Sequence, residues 1–173
     1  QLDADLVSTR WQVTQSHCPR PGGGVALVGY RTAMTVEIRY VGTGDEDLFD
    51  RVAPDVFDHP VERRQLTHYL ASPGHHLMVA IADGEVVGQV AAVVHRHPDG
   101  RPTELYIDEV AVAPALQRQG VARRLLDAML ALGKDLGCEE AWVGTEPDNV
   151  PAKNLYEPRS APAETFAMYV LRL

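Results

Sequence analysis

The chain is expected to fold as a mixed α/β domain, a central β-sheet with helices on both faces. Three observations predict this. Strand-like alternation recurs at 34–41, 75–82, 85–96 and 103–113. Residues 121–136 place Val121, Leu125, Met129, Leu130 and Leu136 on one helical stripe. The strand–helix–strand run from 105 to 145 then requires a right-handed parallel crossover beside an antiparallel meander.

The elements follow in order. Met34 to Val41 alternates as a first strand. The run 43–54 predicts a helix with Thr43 or Asp45 as its cap and acids in its first turn. A second helix over 60–71 is stopped by Ser72-Pro73-Gly74. The strand 75–82 turns at Asp83-Gly84 into a hairpin partner, 85–96. A third antiparallel strand, 103–113, leads through a polar loop into the helix 121–136. A strand at 140–145, a loop at 146–150, a short helix at 151–157 and a closing strand at 164–173 complete the chain. Residues 1–33 stand apart, with prolines, a triple glycine and no period. They read as an N-terminal arm or extension, and 34–173 as the domain, with Met34 as its natural start.

With 173 residues there is length for one domain and a real core. The formal charge is −8, which argues against a nucleic-acid partner. Residues 34–173 hold 13 Lys/Arg against 22 Asp/Glu, a balance suited to a cationic ligand. No apolar run approaches the roughly 18 residues of a membrane span, so no membrane partner is expected. Cys18 and Cys138 lie far apart without metal-like spacing, which fits a reducing cytoplasm. His75-His76 and His95-Arg96-His97 lack the His-x-x-x-His spacing of a helical zinc site. They read as turn and strand-end residues, and no metal is expected.

One local conflict carries the functional reading. An acidic protein places Arg123 and Arg124 at a helix start, where the dipole already favours anions. The loop before it can aim its N–H groups, with the free first-turn N–H groups, into one concavity. Gly120 would let a phosphate approach closely, and Arg118, Arg123 and Arg124 would add charge against a diphosphate. Neither the P-loop nor the dinucleotide fingerprint is present. Taken alone, the loop reads equally well as a surface turn before an amphipathic helix.

The stretch Tyr106–Leu130, with Gln117-Arg118-Gln119-Gly120-Val121-Ala122, resembles the signature of the GNAT N-acetyltransferase superfamily. The downstream Asn154-Leu155-Tyr156-Glu157 resembles that family's tyrosine-bearing helix. The resemblance implies acetyl-CoA as cofactor, its pyrophosphate held by Gln117, Arg118, Gln119, Gly120, Val121, Ala122 and Arg123. It extends the cofactor contacts to Val110, Val112, Ala113 and Asn149. Within the superfamily the chain is most similar to aminoglycoside 3-N-acetyltransferases, on Tyr106-Ile107-Asp108-Glu109-Val110-Ala111-Val112 and the acidic loop Glu146-Pro147-Asp148-Asn149. It is also compatible with a homodimer. The turn after Tyr156 departs from the family, with Pro158 and Pro162 and no glycine, which bears on where Tyr156 sits.

Acetyl transfer to an amine needs a proton acceptor, a donor to the developing oxyanion and an acid for the thiolate. Asp108 or Glu109 could be the base. Strand alternation points them to opposite faces. The resemblance implies a bulge that brings either one inward, and Glu109 matches the acid of the aminoglycoside enzymes. It also implies the N–H of Val112 or Ala113 as oxyanion donor and Tyr156 as acid. Tyr106, Asp108, Glu146, Asp148 and Glu157 would face the acceptor. The expected function is acetyl-CoA-dependent N-acetylation of a cationic small molecule, first an aminoglycoside at its 3-N position. The alternatives are a polyamine or peptide amine, or an acyl-CoA-binding module without turnover.

Overall fold

The computed structural model describes residues 35–159 and 162–173. The arm 1–33, with Cys18, and the proposed start at Met34 lie outside the described residues. One five-stranded sheet runs in chain order: β1 (Glu37–Val41), β2 (His75–Ala82), β3 (Glu85–His95), β4 (Glu104–Val112) and β5 (Glu140–Val143). The first three pairings are antiparallel and β4–β5 is parallel, as the crossover requires. Helix α1 (Arg63–Ala71) lies between β1 and β2, α2 (Val121–Asp135) between β4 and β5, and α3 (Val150–Tyr156) after β5.

Side-chain alternation assigns the two faces. Leu105 of β4 and Gly88 of β3 face α2: a Cβ on Gly133 of that helix would sit 2.8 Å from Leu105 Cδ2. Glycine at 133 is thus what lets the helix settle onto the strand. Leu125 and Met129 are fully buried there, each side chain contributing about 1.5–3 kcal/mol by leaving water. The opposite face carries α1, whose Tyr69 stacks edge-on against His75 and donates to the His76 carbonyl at 3.2 Å. Helices therefore cover both faces, as expected. The β2–β3 hairpin closes on Asp83 and Gly84, both at positive φ (49° and 73°), which the tight turn needs.

Two expected elements are not formed. The helix over 43–54 is only a 3₁₀ turn, Glu46–Asp50. The Asp45 carboxylate is spent on Arg39 and on the Gly42 N–H rather than on a helical cap. Asp47 and Asp50 both bind Arg63 of α1. These tertiary contacts replace the cap and dipole terms that would have propagated a helix. The closing strand over 164–173 has the alternating pattern but no ladder partner among the described residues, and Phe166, Met168, Tyr169 and Val170 are exposed. A strand exists only through its neighbour's hydrogen bonds, which alternation alone does not supply.

Candidate active site

The site begins with a bulge in β4. Ala91 pairs with Glu109 and Ala92 with Ile107, so Asp108 is the extra residue. Asp108 is exposed and Glu109 half-buried. This separates the two acids that alternation alone left open. Glu109 turns to the α1 face, where burial pushes its carboxyl above the ordinary range. The buried Gln89 amide pulls against that rise without an aligned hydrogen bond, while the charges of Asp58 and Asp108 add to it. Tyr69 is raised too, first by burial and then by the charges of Asp108 and Glu109. Sequence reasoning missed Asp58, Tyr69 and Gln89, because only the sheet register and the loop before α1 bring them here.

Beyond the bulge the strands separate. The β4–β5 ladder stops at Ile107–Val143. The Ala113 N–H donates to Val87 O at 2.9 Å on the β3 side. Ala113 is therefore not an oxyanion donor, which corrects that expectation. By alternation the Val112 N–H points the other way, into the gap that β5 leaves open.

The loop after β4 is held by its own glutamines. Gln117 Nε2 donates to Val112 O at 3.0 Å, and Gln119 Nε2 to Ala115 O at 2.9 Å. Arg118 and Gly120 take positive φ, 59° and 81°. Gly120 is the N-cap of α2, and among the described residues no side chain caps the helix start. The first-turn N–H groups therefore have no side-chain cap, at the place where the sequence reading expects an anion nest. Arg123 lines the concavity. Arg124 does not serve it: its guanidinium donates to Val36 O at 2.9 Å, tying α2 to the chain before β1.

A cavity of about 630 Å³ opens over this nest. It brings together Val110, Val112, Gln117, Arg118, Gly120, Val121, Ala122, Arg123 and Tyr156 from the expected set. Its other wall is α3, which adds Val150, Pro151, Ala152, Asn154 and Leu155. Those residues were missed, although the apolar Leu155 beside Tyr156 was a signal. Burial pushes the Tyr156 phenol up to about 12. Ala113, Gln119, Asn149, Tyr106, Asp108, Glu109, Glu146, Asp148 and Glu157 do not line this cavity. Asn149 is instead the N-cap of α3, its Oδ1 accepting from the Ala152 N–H at 3.1 Å. Glu146 gives its carbonyl to the Asn149 N–H, and Glu157 lies 4.0 Å from Lys153. Tyr106 stacks on Trp142, with ring centroids 4.2 Å apart.

The family model for acetyltransferases of the GNAT family matches residues 46–159. The chain belongs to this family. It is 27% identical over 82 residues to an aminoglycoside N(6')-acetyltransferase type 1 of Salmonella typhimurium, a match covering 46% of the chain and 57% of that relative. The chain therefore spans little more than half the length of that curated relative. Among solved structures, an aminoglycoside acetyltransferase from an uncultured soil metagenomic sample, in complex with sisomicin, superposes with a TM-score of 0.69. It is 19% identical over 80% of this chain and 96% of that one. AAC(6')-Iy with a bisubstrate analogue, CoA-S-monomethyl-acetylneamine, gives a TM-score of 0.64 at 19% identity, covering 80% and 99%. The mixed sheet with helices on both faces is thus the fold of these acetyltransferases. The relatives whose names specify a position are of the 6' type, not the 3-N type that the sequence suggested. No helix among the described residues is long and apolar enough to cross a membrane.

Proposed function

We propose that the cavity over the α2 nest holds the acetyl-CoA this family uses, and that the chain N-acetylates an aminoglycoside. The 6'-amine is the favoured acceptor, after the 6'-type relatives. The carrying observation is the uncapped start of α2, with Arg118 and Gly120 at positive φ, opening onto the gap between β4 and β5. Free N–H groups and two arginines suit a pyrophosphate, and the apolar strand and α3 walls suit the pantetheine arm.

Bound acetyl-CoA supplies the activated thioester. The chain's own residues do the rest. The Val112 N–H is aimed where a carbonyl oxygen would gain charge. Tyr156, kept protonated by burial, is the proton donor to the departing thiolate. Glu109 takes the proton from the acceptor ammonium. It stands three strand residues before Val112, roughly 10 Å along the chain. That leaves room for the amine and one water, so Glu109 acts through a water. Asp58, Asp108 and Glu109 together favour a polycation over a neutral amine.

The test compares thiol release from acetyl-CoA with an aminoglycoside bearing a 6'-amine and with its 6'-hydroxyl counterpart. Turnover with the first alone supports the 6' reading. Equal turnover with both returns the acceptor to the 3-N or another ring amine. Turnover only with polyamines or lysine-rich peptides discards the antibiotic, and tight acetyl-CoA binding without turnover favours a binding module.

A further inference from the structure

At the far end of the β3–β4 hairpin lies a second cluster with its own chemistry. His95 ends β3 and pairs in register with Glu104, the first residue of β4. His97, two residues on, folds back beside them. His97 Nε2 lies 3.2 Å and His95 Nδ1 3.6 Å from Glu104 Oε2. One donor atom from each of the three residues lies within 4.8 Å of the others. The two imidazole centroids are 4.4 Å apart.

Three features set this apart from a surface ion pair. The His97 side chain is only 6% exposed, and among the described residues its Nε2 has the Glu104 carboxylate beside it but no aligned hydrogen bond. A buried ring nitrogen left this way is costly unless something else engages it. The spacing also fits: ligands about 2.0–2.1 Å from a tetrahedral ion stand about 3.3 Å from one another. Finally, the carboxylate is already oriented, because Trp142 Nε1 of β5 donates to Glu104 Oε2 at 3.2 Å.

We propose that His95, His97 and Glu104 bind a divalent transition-metal ion of the zinc class. Two imidazoles and a carboxylate are the donor set such an ion prefers, with water completing the shell. The ion would clamp the turn end of the hairpin to β5 through Trp142. Glu104 stands eight strand residues from Val112, about 26 Å, so the ion has no place in acetyl transfer. The absence of helical His-x-x-x-His spacing led the sequence reading away from a metal. The third ligand comes from the neighbouring strand, which local spacing does not reveal.

The test is a Co²⁺ titration of tag-free full-length protein, followed by its visible absorption, with Zn²⁺ added to displace it. The expected result is saturation at one equivalent, d–d bands of a four- or five-coordinate ion, and bleaching by Zn²⁺. His95→Ala and Glu104→Gln should each weaken binding by at least about tenfold, and Trp142→Phe, which removes no ligand, by about tenfold. His75→Ala/His76→Ala should leave it unchanged. Circular dichroism checks that each variant is folded. No saturable binding would overturn the proposal, as would one-equivalent binding that persists in the folded His95→Ala/Glu104→Gln double variant.

Discussion

Arg159 grips Asp127 through two contacts, Nε–Oδ1 at 2.8 Å and Nη2–Oδ2 at 3.3 Å, while its Nη1 donates to Leu155 O at 3.2 Å. One side chain thus ties the end of α3 to the flank of α2. Both helices line the cavity, so the pair holds them together beside it. It also answers the question raised by the prolines after Tyr156: here the turn is anchored by an ion pair.

Arg159→Ala should loosen Tyr156 and Leu155 more than it destabilises the fold. A half-exposed pair is worth about 0.2–1 kcal/mol, so the melting temperature should fall by no more than about 4 °C. The KM for acetyl-CoA should rise by at most about fivefold, the same energy expressed as affinity. A double-mutant cycle with Asp127→Asn is the check, and strictly additive effects would show that the two residues do not act as a pair.

The nest makes a separate prediction, because its geometry and its charge can be divided. Gly120 sits at φ 81°, and a Cβ there would meet nothing within 4 Å. Gly120→Ala therefore costs only the left-handed backbone penalty, about 1–2 kcal/mol. Arg118 is already left-handed, at φ 59°. Arg118→Gly should hold or raise the melting temperature while weakening acetyl-CoA about 10- to 100-fold, the loss of one charge-assisted contact. Calorimetric titration with CoA separates the two. A destabilised Arg118→Gly with unchanged CoA affinity would place the arginine in the structure rather than in the site.

Much of this was legible before the fold was known. Long periodic segments such as 85–95 and 121–135 carry their own evidence, because one face must be buried. The turn into α2 was legible for a local reason, since Gly120 and a helix start are neighbours in sequence. Other features are tertiary. Asp45 reads as a cap, but Arg39 claims it. Arg124 reads as a phosphate ligand, but the Val36 carbonyl claims it. The closing segment 164–173 has the right alternation, but pairing is decided by what lies beside it. Gln89 and Asp58 reach Glu109 only through the register and the loop before α1.

Tyr156→Phe tests the proton donor. Burial lifts its phenol to about 12, so it stays protonated throughout the working range. Loss of a general acid should lower kcat by about 10²–10⁴-fold with little change in the KM for acetyl-CoA. The protein should fold normally, because the ring remains. A change confined to KM would mean that Tyr156 only shapes the wall.

Glu109→Gln sets activity against stability, and the sign follows from burial. The folded carboxyl lies above its ordinary value, so the folded state holds that proton more tightly than the unfolded chain. The stability this gives is complete below the ordinary glutamate value and is lost as pH rises through the folded one. At neutral pH the ionised carboxylate therefore opposes folding. Glu109→Gln should melt higher than the parent at pH 7 and alike at pH 4, while kcat/KM drops about 10²–10⁴-fold. The parent's acid limb of kcat/KM should lie above the ordinary glutamate range, and the variant should lose it. A higher melting temperature with turnover intact would keep the burial and move the base to another group. A lower melting temperature at pH 7 would mean that the carboxylate is stabilised where it sits, and the reading of a proton held by burial would fall.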